Sequence, residues 1–163
     1  MPIVSNTSPI LNLAIIEKLE LLRKQFGKVS IPPAVLDELK VDSHFPGAGG
    51  IRQALQLGWI VVETLNSSEV SHVLALELDL GEAEAIALAL ENAEKMILMD
   101  EHEGRQAAKS LGLTPVGIVG VLLQEKQDNP LFSMTHTLDD LRLKAGFFIS
   151  AKLYKYTLEL AGE

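Results

Sequence analysis

The sequence predicts an α/β fold, a three-layer arrangement with a central parallel sheet and helices on both faces. Short apolar strand candidates recur at residues 2–5, 28–31, 59–65, 96–99 and 114–119. Segments with helical spacing of apolar residues lie between them, and proline, glycine, serine or asparagine marks most changeovers. Parallel neighbours can be joined only through a crossover, so strands that alternate with helices read as βαβ units.

The first strand runs into Asn6, Thr7, Ser8 and Pro9, where Ser8 as N-cap and Pro9 at the first helical position predict a helix start. Ile10, Leu13, Ala14, Leu19 and Leu22 continue that helix, with a break expected around Glu17 and a stop at Gly27. Pro32 and Pro33 open a helix over 33–40, whose buried stripe is Val35, Leu36 and Leu39 and whose end carries Glu38. Residues 41–50 have loop chemistry and predict a mobile rim before a helix at 51–57. A helix capped by Ser67 or Ser68 extends to Leu76, and the segment 83–93 is apolar around nearly its whole circumference, which predicts a buried helix. Helices follow at 101–112 and 117–126. Two more, at 137–144 and 151–161, are joined by GFFIS, the second capped by Ser150; they would cover an edge of the sheet or pair with another subunit.

At 163 residues the chain suits one domain over 1–163, with an α/β core at 1–126 and a C-terminal helical extension at 127–163. A hydrophobic fraction of 47% excludes a disordered polymer. No apolar run approaches the length of a membrane span, and the first residues have neither a basic region nor a cleavage pattern, so a cytoplasmic protein without membrane contact is expected. The absence of cysteine removes thiolate zinc sites and leaves oxygen or imidazole as metal ligands. A formal net charge of −8 argues against gripping phosphate backbones by charge alone. Clustered acids would instead make a seat for a hard cation.

In an open parallel sheet, ligands bind beyond the carboxyl ends of the strands. Asn6 follows the first strand and Asp100 the strand at 96–99, so both should face one edge. Glu82 opens the buried helix, where the dipole favours a carboxylate, and Glu38 comes from the helix after the second strand. Carboxylates within a few ångströms repel by about 1 kcal/mol or more per pair, a cost that a divalent ion removes. Oxygen-only donors favour Mg²⁺ or Mn²⁺, the equipment of a phosphodiester hydrolase. Glu84, Glu101 and Glu103 read as surface acids or supports for the first set. His44, His72, His102 and His136 are scattered, and HEGRQ lacks the second histidine of a zinc helix. GAGG at 47–50 lacks the ending of a phosphate loop, and Gly117 and Gly120 read as permitting close helix packing. Arg52 and Arg105 are the best-placed cations for guiding a nucleic acid, although each reads first as a surface charge, with Arg105 paired to Glu101 at i, i+4.

The segments VSNTSPIL, PPAVLDEL, LGEAEAIALAL and ILMDE, with the ending GFFISAKLYKYTLELAGE, together resemble the PIN-domain superfamily, in the branch known as the DUF3368 proteins and often grouped with VapC-type toxins. The resemblance implies a Rossmann-like three-layer PIN fold and a ribonuclease dependent on Mg²⁺ or Mn²⁺ that hydrolyses RNA phosphodiesters with a metal-held water. It also implies a homodimer neutralised by a cognate antitoxin. By position, the family's first aspartate falls on Asn6 and its other acids on Glu38, Glu82 and Asp100, while Ser8 matches the small hydroxyl residue after the first acid. Asparagine keeps a carbonyl oxygen for a metal or its water and gives up the negative charge.

Two alternatives stand beside the nuclease. Asn6 and the negative charge also suit a catalytically weak or inactive PIN-fold protein that acts as a nucleic-acid or protein interaction module. A receiver-type phosphoacceptor shares the architecture and fits worse, because no acid pair follows the first strand and no lysine ends TPVGIV.

Overall fold

The computed structural model describes residues 2–163. Five three-residue strands, β1 (Ile3–Ser5), β2 (Val29–Ile31), β3 (Ile60–Val62), β4 (Met96–Leu98) and β5 (Thr114–Val116), form one sheet in the order β3-β2-β1-β4-β5. Every neighbouring pair is parallel, as the alternating pattern predicts. The chain moves outward from β1 through β2 to β3, then returns to the other side of β1 for β4. This reversal puts the topological switch point between β1 and β4, where Val4 pairs with Ile97 and Ser5 with Leu98.

Short strands can hold this sheet because both faces are covered. Ile3, Val29, Ile31 and Leu98 enter one core, lined by α1 (Thr7–Ile15), α2 (Glu20–Phe26), α3 (Pro33–Leu39), α4 (Ala48–Leu57), α8 (Ile118–Asp128) and α9 (Met134–Lys144). Val4, Ile97 and Met99 enter the other, packed by α5 (Glu69–Leu74), α6 (Leu80–Glu91) and α7 (His102–Ser110). Adjacent residues thus fall on opposite faces, the period-two rule of a strand. The last helix, α10 (Ala151–Leu160), lays Tyr154 and Leu158 against the first core.

The first helix begins earlier than its sequence suggests. Asn6, not Ser8, occupies the N-cap, with φ −85 and ψ −169, and its side chain makes no cap hydrogen bond. Pro9 is tolerated two residues further in because the N–H groups of a first turn have no helical acceptor. The expected break falls at Glu17, whose φ is +61, and the chain resumes in α2. The segment at 41–50 is pinned rather than a mobile rim. Helix α4 already starts at Ala48, Arg52 Nη1 donates to the Val41 carbonyl at 2.5 Å, and a Cβ on Gly47, at φ +99, would lie 2.6 Å from the backbone of Ala14.

The tail helices pack on other helices of this chain, α9 on α1 and α8 and α10 on α8 and α9. Met134, Leu138 and Leu141 are fully buried, and Ser133, overlooked as a cap, accepts the His136 N–H. Glu163 fastens the far end of the pair: its carboxylate accepts the N–H groups of Met134 (2.7 Å) and Thr135 (3.1 Å) and the Thr135 hydroxyl (2.8 Å), and meets Lys126 Nζ at 3.2 Å. Burial opposes ionisation of Glu163, but these donors outweigh it and draw its pKa down to about 2. A depressed carboxyl pKa stabilises the fold above the ordinary value of 4.5 and ceases to do so as pH falls toward 2. Glu163→Gln is therefore expected to melt below the parent at pH 7, and the gap should narrow through that acid range in calorimetric scans. A gap independent of pH would mean the carboxylate charge contributes nothing.

Candidate functional site

Among the described residues, four buried side-chain oxygens have no hydrogen-bond partner: Asn6 Oδ1, Ser8 Oγ, Glu82 Oε2 and Asp100 Oδ2. All four belong to residues singled out from the sequence. Their positions follow from the chain path. The Asn6 N–H donates to the Leu98 carbonyl at 3.1 Å, which holds the end of β1 against β4, and the Met99 N–H donates to Val116, which carries β4 on to Asp100. Glu82 stands in the first turn of α6, where Asp79 caps the helix by accepting the Glu82 N–H at 2.8 Å. Asp79 escaped the sequence reading, although an acid three residues before Glu82 and an apolar run is a capping signature.

Burial, aided by the neighbouring carboxyl of Asp79 and the charge of Glu101, raises the pKa of Glu82 to about 8. Burial also raises Asp100, to about 6. There the Ile118 N–H, 3.0 Å from Oδ1, and Arg105 act the other way, and Glu101 adds to the rise. At neutral pH Glu82 is thus largely protonated when nothing positive faces it. Glu38 is different: it is exposed, and it accepts the Thr7 hydroxyl at 2.5 Å and the Gly81 N–H at 3.1 Å. It is held between the N-terminal turns of α1 and α6, both of which favour an anion.

Glu101 is the residue the sequence reading undervalued. Its Oε2 accepts Asn6 Nδ2 at 3.1 Å, and its charge acts on both Glu82 and Asp100. The expected pair between Glu101 and Arg105 does not form. Arg105 Nη1 donates instead to the Met99 carbonyl at 2.9 Å and lies beside Asp100, because the end of β4 offers a fixed acceptor. Arg52 likewise spends its guanidinium on the carbonyl of Val41, and Glu84 accepts the Ala34 N–H at 3.1 Å, tying α3 to α6.

Three glycines back three of the acids. A Cβ on Gly81 would strike the Glu38 carboxylate, one on Gly104 would strike Glu82 Oε2 and Met99 Sδ, and one on Gly117 would lie 2.7 Å from Asp100 Oδ1. Gly117 therefore serves the acid site more directly than the helix packing expected of it, whereas Gly120 meets only ordinary contact. Missing side chains, rather than special torsions, give the carboxylates their room.

A cleft of about 350 Å³ is lined by Ser8, Asn12, Asp100 and Glu101 and by residues 145–148. Glu82 does not line it; its Oε2 lies against Gly104. Among the described residues no three acidic or histidine side chains stand closed around a common point. The donor chemistry nevertheless fits a hard divalent ion: unsatisfied carboxyl, amide and hydroxyl oxygens at one sheet edge, with no competing thiolate. No helix among the described residues is long and apolar enough to cross a membrane.

Comparisons with known proteins agree with this architecture. A solved structure of a PilT N-terminus domain protein from the hyperthermophilic archaeon Sulfolobus solfataricus P2 superposes with a TM-score of 0.53 at 21% identity, covering 76% of this chain and 92% of that one. At that identity the likeness is one of fold. No curated protein gives a match. The family model for DUF3368, described as a PIN domain, matches residues 2–163. The chain therefore belongs to the DUF3368 family of PIN domains, within a nuclease-type superfamily whose members generally bind divalent metal ions.

Proposed function

We propose that this protein is a metal-dependent ribonuclease, the toxin component of a toxin–antitoxin pair, working as a cytoplasmic homodimer held in check by its cognate antitoxin. The observation that carries the nuclease reading is the set of unpartnered buried oxygens at the switch point. Fully buried polar atoms cost on the order of 1–3 kcal/mol each when unsatisfied, and a strand-end edge is where α/β sheets place ligands. The toxin role, dimer and antitoxin rest on family membership.

Asn6, Glu38, Glu82 and Asp100 would hold Mg²⁺ or Mn²⁺, with Ser8 supporting them from the first turn of α1. When bound, the ion supplies positive charge to the phosphodiester oxygens and screens the acids from one another. Glu82 must give up its proton to serve as a ligand, so occupancy should rise with pH. Asp100 keeps its orientation through the Ile118 N–H, which leaves Oδ2 free. Asn6 divides its amide: Nδ2 orients Glu101 while Oδ1 remains available. Glu101 thus holds its charge beside a position where asparagine has none.

A second reading, an interaction module of low activity, is favoured by Asn6 itself, which contributes no charge of its own. Purified protein with RNA and Mn²⁺ separates the two. Cleavage is expected to fall at least about 100-fold in Asp100→Ala, and equal cleavage by both proteins would expose a contaminant. No divalent binding at millimolar concentration would transfer support to the module.

Two further outcomes follow from the electrostatics. Asn6→Asp should tighten Mn²⁺ about tenfold in calorimetry while lowering the melting temperature of the metal-free protein, since it turns an acceptor toward Glu101. Unchanged Mn²⁺ affinity would remove Asn6 from the ligand set. Because the carboxyl of Glu82 is raised from 4.5 to about 8, metal-free stability is greatest below the lower value and declines as pH rises through the higher one. Glu82→Gln should therefore exceed the parent by on the order of 1–3 kcal/mol at pH 8 in chelator, match it near pH 4, and lose the thermal stabilisation that Mn²⁺ gives the parent. Parallel pH profiles in denaturant melts would contradict a buried, protonated Glu82.

A further inference from the structure

Phe148 is 84% exposed and lines the same cleft as Asp100 and Glu101. Its neighbours impose that exposure. Gly146, at φ +67, turns the chain after α9, and the Phe147 N–H returns to the Leu141 carbonyl at 2.9 Å. Phe147 packs on the main core and Ile149, 6% exposed, enters it. Ser150 then fixes the start of α10 by accepting the Leu153 N–H at 3.1 Å. Tyr154, donating to Asp139 at 2.8 Å beneath the Arg142 guanidinium, braces the two helices that flank the turn. With residues anchored inward on both sides, the phenyl ring between them is left facing the cleft mouth.

A phenyl group offers a ligand a flat apolar face and no hydrogen bond. A nucleotide chain whose phosphate lies at the acids carries within reach a base with a matching face. The charge balance points the same way. The protein bears a formal −8, so neutralising phosphates contributes little to affinity. Stacking has to carry more of it. In a duplex each base face is covered by its neighbours, whereas an unpaired base leaves one free. Resting on the ribonuclease reading above, we infer that Phe148 is a stacking platform for an unpaired nucleobase beside the phosphodiester held at the acids.

The test is a stopped-flow titration in Mn²⁺, read before cleavage, of a short single-stranded RNA carrying 2-aminopurine, with its annealed duplex in parallel. The parent is expected to quench the single strand and leave the duplex unaffected. Phe148→Ala should raise Kd about tenfold, and Phe148→Tyr should retain parental quenching. In Mn²⁺ the alanine change should appear in KM with kcat little altered. An unchanged melting temperature in Phe148→Ala would show that the loss is one of contact. Equal quenching by parent and Phe148→Ala, equal binding of the duplex, or no quenching at all would overturn the inference. If the parent quenched but cleaved no better than Asp100→Ala in Mn²⁺, the ribonuclease reading would fail while the stacking role survived.

Discussion

The fold is organised around carboxyl groups that it buries without giving every oxygen a partner. Glu82 and Asp100 are drawn out of water at the edge where β1 and β4 diverge, and desolvation is the first cause of both raised pKa values. An isolated acid there would simply hold its proton. The surroundings do more than bury: helix N-termini face Glu38, an amide orients Glu101, and Gly81, Gly104 and Gly117 leave space where side chains would intrude. Such an edge is electrostatically unfinished, with oxygen donors of the kind that suit a small hard cation.

Much of this was legible in the sequence because strands and helices leave different patterns. Short, continuously apolar runs separated by helical spacing predict a parallel sheet covered on both faces, and parallel connectivity sends Asn6 and Asp100 to one edge. What the sequence concealed depends on contacts between distant segments. Ser8 looked like a cap because serine before proline commonly is one; the hydrogen bond from the Asn6 N–H to Leu98 instead started the helix two residues earlier. Glu101 and Arg105 have ideal spacing for a pair, yet each found a partner outside the helix. The purpose of Gly117 can be seen only once Asp100, 17 positions away, lies against it. Nor does local patterning show that residues 145–148 border the acids, since that follows from the packing of α9 on α1 and α8.

Asparagine at position 6 alters how the negative charge is distributed. An aspartate there would face Glu101 as a second acceptor, and the two would repel. The amide converts that repulsion into a hydrogen bond of 3.1 Å, fixing an otherwise exposed carboxylate beside two buried ones. One unit of negative charge is removed, and the charge of Glu101 is held in place. The exchange favours order in the metal-free protein over strength of cation binding.

Helix α8 has a further consequence. Its first N–H holds Asp100, and toward its other end Lys126 meets Glu163 and donates to the carbonyls of Pro130 and Phe132. The intervening residues Val121 and Leu122 are packed into the core, so the helix behaves as a stiff beam with a clamp at either end. Its 11 residues span about 16 Å. The acid edge and the terminal hairpin therefore share one structural member, and neither can be repositioned without loading the other.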